Sequence, residues 1–138
     1  MYKFAGFFAK QQLKPPAASG VDAVWRAINT PFVGVGIRLQ EFIDGDELPD
    51  PDRVTAIRER LGLGAAIDWL FIIYVCWGGR IDFVYGFGKQ GERAFGPVKE
   101  FAGPKIEAVY LHLMGEFGVQ PEDAMQFDPF VRGFWGDA

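Results

Sequence analysis

Hydrophobic residues recur along this chain with two spacings, and the spacing of two predicts the strands. Residues 2–9 are rich in aromatic side chains and predict a first strand. A second strand is indicated where apolar residues alternate with glycine or polar residues, at Val33, Val35, Ile37 and Leu39. Two apolar-rich runs, at 69–77 and 80–87, flank the pair Gly78-Gly79. Glycine tolerates the positive φ angles of tight turns, so these runs predict an antiparallel hairpin.

The spacing of three and four predicts three helices. The first lies between candidate caps, Ser19 and Asp22, and Pro31, with its apolar face at Val21, Val24, Trp25 and Ile28. The second follows Asp50-Pro51, with an inward face at Val54, Ile57 and Leu61. The last begins near Pro104 and ends at Gly118, and its apolar face comprises Ile106, Val109, Tyr110, Leu113 and Phe117.

This pattern predicts an α+β fold in one domain, 1–138, with the element order β-α-β-α-β-β-α. The expected architecture is a mostly antiparallel sheet with helices packed on it, followed by an irregular aromatic tail at 119–138. A hairpin closed at Gly78-Gly79 places three pairs opposite each other: Cys76 and Ile81, Tyr74 and Phe83, and Ile72 and Tyr85. Both faces of this hairpin are rich in apolar side chains, so the sheet is either covered on both sides or keeps one face for a partner.

Composition limits the class of protein. Of the 138 residues, 49% are hydrophobic, enough to build a core without a disulfide or a metal. The single cysteine, Cys76, lies in an apolar run and is expected to be a buried, inert thiol. That run is nine residues long, shorter than the roughly 20 that a spanning helix needs, and no signal-peptide pattern is recognised. We therefore expect a cytoplasmic protein that does not bind membranes.

The acidity of the chain is local. The formal charge is −4, and six acidic residues without a base lie between Glu41 and Asp52. Removing these six from the 18 acidic residues leaves 12 acids against 14 bases, a charge of +2. A loop of like charges is either solvated, a weak calcium ligand without the EF-hand pattern, or a docking segment for a basic partner. We take the third as the hypothesis, with the candidate residues Asp44, Asp46, Glu47, Asp50 and Asp52.

Candidate catalytic chemistry is scarce. Ser19 is the only serine, and His112 is the only histidine, placed to pair with Glu116 one helical turn later. One histidine and one cysteine do not suffice for the usual metal sites. A carboxylate-only mechanism remains formally open at Asp68, Asp82, Glu107 or Asp128. We expect no catalytic residue, no metal and no enzymatic activity.

The sequence also contains the spacing G-x-G-x-x-G, at Gly86, Gly88 and Gly91. In a dinucleotide site these glycines join a strand to a helix in a βαβ unit. Here Gly96-Pro97 follows shortly, so a helix after Gly91 is not expected. We therefore expect no cofactor.

Two further features bear on partners. The tail residues Phe130, Arg132 and Trp135 are of types that dominate binding hot spots, although the aromatic rings are equally suited to cover the sheet or the last helix. Basic residues are scattered, which disfavours nucleic-acid binding. The sequence favours a non-enzymatic protein-binding module, a small cytosolic inhibitor such as a bacterial toxin-immunity protein that blocks a basic active cleft. The alternatives are a small-ligand domain with an aromatic pocket and a subunit of a larger assembly.

Overall fold

A six-stranded antiparallel sheet forms the centre of the protein. The computed structural model describes residues 1–44 and 48–136. The strands, in chain order, are β1 (Tyr2–Ala9), β2 (Ala23–Ile28), β3 (Gly34–Leu39), β4 (Trp69–Trp77), β5 (Arg80–Gln90) and β6 (Arg93–Phe101). Their order in the sheet is β2-β3-β1-β4-β5-β6, and each neighbouring pair is antiparallel. The predicted α+β class, with a mostly antiparallel sheet and packed helices, is confirmed.

Helices connect and cover the strands. They are α1 (Gln40–Ile43), α2 (Pro51–Arg60), α3 (Ile106–Glu116) and α4 (Pro121–Met125), with a 3-10 turn at Asp128–Phe130. The start of α2 follows the predicted pattern, since the carboxylate of Asp50 accepts a hydrogen bond from the amide of Asp52 at 2.9 Å and Pro51 occupies the first helical position. The predicted apolar faces of α2 and α3 are both turned inward.

Each face of the sheet carries its own hydrophobic core. Neighbouring residues of a strand point to opposite faces, so Phe4 and Phe8 enter one core while Ala5 and Phe7 enter the other. The first core includes α3, α4 and the tail, and we call this side the α3 face. The second includes α1 and α2, and we call this side the α2 face. Both faces of the β4–β5 hairpin are therefore covered, the first of the two alternatives that its apolar pattern allowed.

The hairpin is confirmed, and its register is right only near the turn. Cys76 pairs with Ile81 as predicted. An irregularity between Val75 and Cys76 then leaves Asp82 without an opposite residue. Beyond it, Tyr74 pairs with Val84 and Ile72 with Gly86, one residue away from the predicted partners Phe83 and Tyr85. Cys76 is half-buried, not fully buried as expected, because it lies close to the end of its strand.

The helix predicted between Ser19 and Pro31 is wrong, because this segment contains β2. Its apolar residues also fit a spacing of two: Ala23 and Trp25 pack towards the α2 face, whereas Ile28 lies in the α3-face core. Val24 and Trp25 are residue types enriched in strands, and pairing with β3 supplies the backbone hydrogen bonds. Tertiary pairing has overridden a weak helical pattern in a segment of only six residues.

Two further elements differ from the prediction. Strand β6 was not among the predicted elements, and it contains Gly96-Pro97, a pair that is unfavourable within most strands. It forms the edge of the sheet, where a proline without an N–H is tolerated, and its pairing with β5 is irregular between Gly86 and Gly88. The tail after Val119 is not wholly irregular, since Pro121 occupies the first position of α4 and Pro129 the second position of the 3-10 turn.

Candidate functional site

Exposed aromatic and charged side chains that are not part of either core lie together at one end of the sheet. Tyr2 pairs with Cys76, β4 ends at Trp77, and β5 begins at Arg80, so these residues lie at one end. Strand β6 ends there as well, at Phe101, and α3 begins just after it. We call this the hairpin end of the sheet. The tail reaches it too, because the guanidinium of Arg132 donates a hydrogen bond to the carbonyl of Met1 at 3.2 Å.

Exposed hydrophobic side chains are concentrated at the hairpin end. Eight large hydrophobic side chains are exposed in residues 1–44 and 48–136, and five of them lie on this end or on the tail beside it: Met1, Trp77, Phe101, Met125 and Val131. Trp77 is 59% exposed and Phe101 is 60% exposed. Apolar side chains grouped in this way mark interaction surfaces more often than apolar side chains scattered singly.

A groove of about 730 Å³ separates the hairpin turn from the start of α3. Its apolar walls include Trp77, Ile81 and Met125, and Arg80 lines it near the turn. Two carboxylates, Asp82 and Glu107, also line the groove, and in the part of the chain that the structure describes neither carboxylate has a hydrogen-bonding or ion-pair partner. The groove thus combines apolar walls with one arginine and two carboxylates that are free to meet a ligand.

The sheet irregularity positions one of these acids. Asp82 is the residue left unpaired with β4, and its carbonyl accepts a hydrogen bond from the amide of Ala102 at 2.9 Å. This bond ties the end of β6 to the hairpin and places the start of α3 opposite the turn. Bulges commonly re-aim a side chain at the rim of a sheet.

A second cleft, of about 390 Å³, lies beside the first strand. Three basic residues, Lys3, Arg38 and Arg132, line it together with Ile43, the last residue of α1. Asp44 follows Ile43 directly in the chain. The structure thus brings the beginning of the acidic segment and the tail residue Arg132 to the same end of the molecule.

The predicted acidic segment is partly used inside the fold. Asp44 accepts hydrogen bonds from the side-chain amide of Gln40 at 3.1 and 3.3 Å, and Asp50 caps α2. Asp52 lies in the first turn of that helix, where a negative charge interacts favourably with the helix dipole and stabilises the helix. Glu41, the first acidic residue of the segment, forms an ion pair with Arg53. Asp46 and Glu47 lie outside the described residues.

The tail aromatics lie in the α3-face core. Trp135 is 5% exposed and stacks on Phe4 at 5.4 Å between ring centroids, and its indole N–H donates to the carbonyl of Pro129 at 2.9 Å. Phe130 is half-buried and stacks on Tyr74 at 4.2 Å. Arg132 is exposed. This placement matches the packing alternative for the two rings, and leaves only Arg132 of the three on the surface.

Ser19 and His112, considered for nucleophilic catalysis, are not brought together, whereas two of the four candidate carboxylates, Asp82 and Glu107, line the same groove. His112 is 66% exposed and its Nε2 lies 3.4 Å from a carboxylate oxygen of Glu116, the predicted pair. The hydroxyl of Ser19 accepts a hydrogen bond from the amide of Val21 in the loop before β2. No group of histidine, cysteine or carboxylate side chains that could hold a metal is found in the described residues. Gly86 and Gly88 lie within β5 and Gly91 lies in the turn after it, so no helix follows them.

Burial perturbs several tyrosines without making a site. Desolvation raises the pKa of Tyr110, whose hydroxyl donates to the carbonyl of Ala124 at 2.6 Å. Desolvation also raises the pKa of Tyr74 and of Tyr85. These rings pack against other aromatic side chains in the cores, so their role is structural.

Sequence reasoning missed the groove and did not single out Trp77 or Met125, and it named Asp82 and Glu107 only as formal catalytic candidates. One signal was present, since a tryptophan directly before a glycine turn is difficult to bury. Compared with known proteins, the chain matches no family model, no curated protein and no solved structure. Across the described segments, no helix has the length and apolar character needed to cross a membrane.

Proposed function

We propose that the chain is a non-enzymatic protein-binding module that acts as a small cytoplasmic inhibitor, such as a bacterial toxin-immunity protein, and that it binds its partner with the hairpin end of the sheet. The observation that carries the proposal is the concentration of exposed hydrophobic side chains at that end. A protein interface needs an apolar centre with aromatic anchors and a polar rim. Trp77 and Met125 supply the centre, and the charged residues around the groove supply the rim.

The carboxylates at this end support a basic partner surface, although Arg80 lines the same groove and the second cleft, lined by basic residues, lies at the same end. The groove presents Asp82 and Glu107 without partners in the described residues, and the acidic segment begins after α1 at the same end. A basic active cleft attracts such carboxylates over several ångströms and thereby gains association rate. The proposed partner surface therefore adds the groove to the acidic segment and keeps Arg132 of the three tail candidates, since Phe130 and Trp135 pack in the core.

The aromatic-pocket alternative receives less support. The rings between sheet and helices pack against each other, as in the Tyr74–Phe130 stack at 4.2 Å and the Phe7–Phe71 contact at 5.2 Å. Small-ligand sites are concave and bury most of the ligand. The groove at the hairpin end is instead open to solvent, a shape better suited to a protein segment.

The test begins with affinity capture from the organism that encodes the chain, followed by calorimetry with the captured protein. Trp77→Ala should weaken binding at least about 30-fold, the loss expected from a hot-spot tryptophan. The matched control is Val33→Ser, because Val33 is 57% exposed at the opposite end of the sheet. The captured protein should also lose its activity, enzymatic or toxic, when the wild-type chain is added.

Charge is tested separately. Asp44→Asn with Glu47→Gln should slow association at low salt, and the difference from wild type should shrink as salt screens the charges. Glu59→Gln with Glu92→Gln removes two negative charges elsewhere and should leave the association rate nearly unchanged. Binding that tolerates Trp77→Ala as well as it tolerates Val33→Ser would contradict the proposed surface. A partner whose activity persists in the complex would contradict the inhibitor.

A further inference from the structure

The strand β2 forms an open edge of the sheet. It pairs with β3 on one side only. The amide of Gln40 donates to the carbonyl of Asp22 at 3.2 Å, one position beyond the register pair Ala23–Leu39. Because hydrogen-bonded pairs alternate along an antiparallel ladder, the even-numbered residues of β2 bond to β3 and the odd-numbered ones point away. The N–H and C=O groups of Ala23, Trp25 and Ala27 therefore face outward, and none bonds to the described residues.

The other edge is protected in ways that β2 is not. Strand β6 contains Pro97, which has no N–H, beside Gly96 at a φ of 79°, and its pairing with β5 is irregular. Proline and bulges are the usual means by which an edge strand avoids pairing with another chain. Strand β2 contains neither proline nor glycine, and its ladder with β3 is regular.

The sequence of the β2 edge is complementary to itself when two copies run antiparallel. With Val24 on the twofold axis, Asp22 of each copy lies directly opposite Arg26 of the other copy, which gives two such pairs. On the opposite face Ala23 lies opposite Trp25, a small side chain against a large one. Both Asp22 and Arg26 are exposed, and in the described residues neither side chain has an ion-pair partner. Opposite charges directly across a ladder attract, and side chains are closest in pairs that share no backbone hydrogen bond.

Neighbouring registers lack this complementarity. An axis at Trp25 places the two indoles opposite each other and sets Asp22 against the apolar Ile28. An axis at Arg26 places two guanidinium groups opposite each other, which is repulsive. The register centred on Val24 also lets Ala23 and Trp25 of each copy exchange backbone hydrogen bonds with the other copy.

We propose that two copies of this chain associate through β2, antiparallel and with Val24 on the twofold axis, so that the two sheets become continuous. The partner is a second copy because the charge and size pattern of residues 22–26 matches its own reverse. A contact of five residues is smaller than a standard protein interface, so the dimer is weak and forms at protein concentrations on the order of 100 μM. The groove and Trp77 are not involved, because β3 and β1 separate β2 from the β4–β5 hairpin in the sheet, and this inference does not rest on the proposed function.

The test is the mass in solution as a function of concentration, by sedimentation equilibrium. Arg26→Asp places two aspartates opposite each other in each pair, and Asp22→Arg does the same with two arginines. Each should raise the dissociation constant of the dimer at least about tenfold. The double variant Asp22→Arg with Arg26→Asp restores opposite charges and should return the constant to near the wild-type value. Arg60→Asp, an equal change of charge on the exposed side of α2, should have no effect.

Thermal unfolding of each variant confirms that the monomer is folded. Val24→Asp is a second, independent test that does not depend on the Asp22–Arg26 pairs. It places two carboxylates opposite each other on the axis and should abolish the dimer. Trp77→Ala should leave the dimer intact even where it abolishes partner binding, which separates this inference from the proposed function. A wild-type chain that stays monomeric up to about 1 mM, single reversals without effect, or a double variant that fails to restore the dimer would each overturn the proposal.

Discussion

Replacing Trp135 with alanine should remove a large part of the free energy of unfolding of the protein. The indole is 5% exposed, stacks on Phe4, and contacts the space that Gly36 leaves open, where a Cβ atom would lie 2.9 Å from the ring. Truncation of a buried tryptophan to alanine costs about 3–5 kcal/mol, from lost transfer energy and from the cavity left behind. A domain of this size has a total of about 5–15 kcal/mol, so the loss is large and still measurable.

The hydrogen bond of the indole contributes less to the stability than its short distance suggests, because its acceptor has a second donor. The carbonyl of Pro129 accepts from the indole of Trp135 at 2.9 Å and also from the hydroxyl of Tyr2 at 2.6 Å. Loss of one donor leaves this buried carbonyl with the other. The double variant Tyr2→Phe with Trp135→Phe removes both, and should cost about 1–3 kcal/mol more than the sum of the single changes.

The assay is urea unfolding followed by circular dichroism. The unfolding free energies are compared between variants that share the same dependence on urea concentration. Val131→Ala serves as the control, since Val131 is 55% exposed in the same tail and its change should stay within about 0.5 kcal/mol. Trp135→Phe keeps part of the ring and provides a folded variant if the alanine variant does not fold. A cost below about 1 kcal/mol for Trp135→Ala would show that the tail is not part of the core.

Three smaller predictions follow from single contacts. Asp50→Ala removes the cap of α2 and should cost about 1 kcal/mol in urea unfolding, whereas Asp50→Asn should keep most of it. Because burial raises the pKa of Tyr110 above its usual value of 10.0, its neutral form contributes stability that is complete below pH 10 and is lost as the pH rises through the folded-state pKa. Tyr110→Phe should therefore lower the unfolding free energy at pH 7, through the lost bond to Ala124, and flatten its decline above about pH 10. Cys76 is half-buried, so a thiol reagent should label it in the folded protein more slowly than in urea, and complete protection would contradict its position at the strand end.

The sequence was sufficient for elements whose pattern agrees with their packing. The β4–β5 hairpin combines two apolar-rich runs with a glycine pair, and α2 has a cap, a proline and an apolar face that all indicate the same helix. Local and tertiary preferences coincide in these segments. The pairing of Cys76 with Ile81 was predictable for the same reason.

The errors come from interactions that local patterns do not record. Whether residues 23–28 form a helix or a strand depends on the presence of β3 beside them. The irregularity at Asp82 leaves no mark on the apolar pattern of the hairpin, and it shifts every pair beyond it by one residue. The candidate site at the hairpin end combines residues from segments far apart in the sequence. The burial of Trp135 and the exposure of Trp77 likewise follow from the fold and not from the residue type.

The central position of β1 has a consequence for how the chain folds. Residues 2–9 pair with β3 on one side and with β4 on the other, so about 60 residues separate this strand from its second neighbour. Phe4 then stacks on Trp135, which lies nearly the whole chain away. Closing such long loops before any contact forms slows folding, and during synthesis the first strand emerges long before the residues that cover it. Strand β1 carries Phe4 and Phe8 on one face and Phe7 on the other, and it is the segment we expect a chaperone to shield until the rest of the sheet has been made.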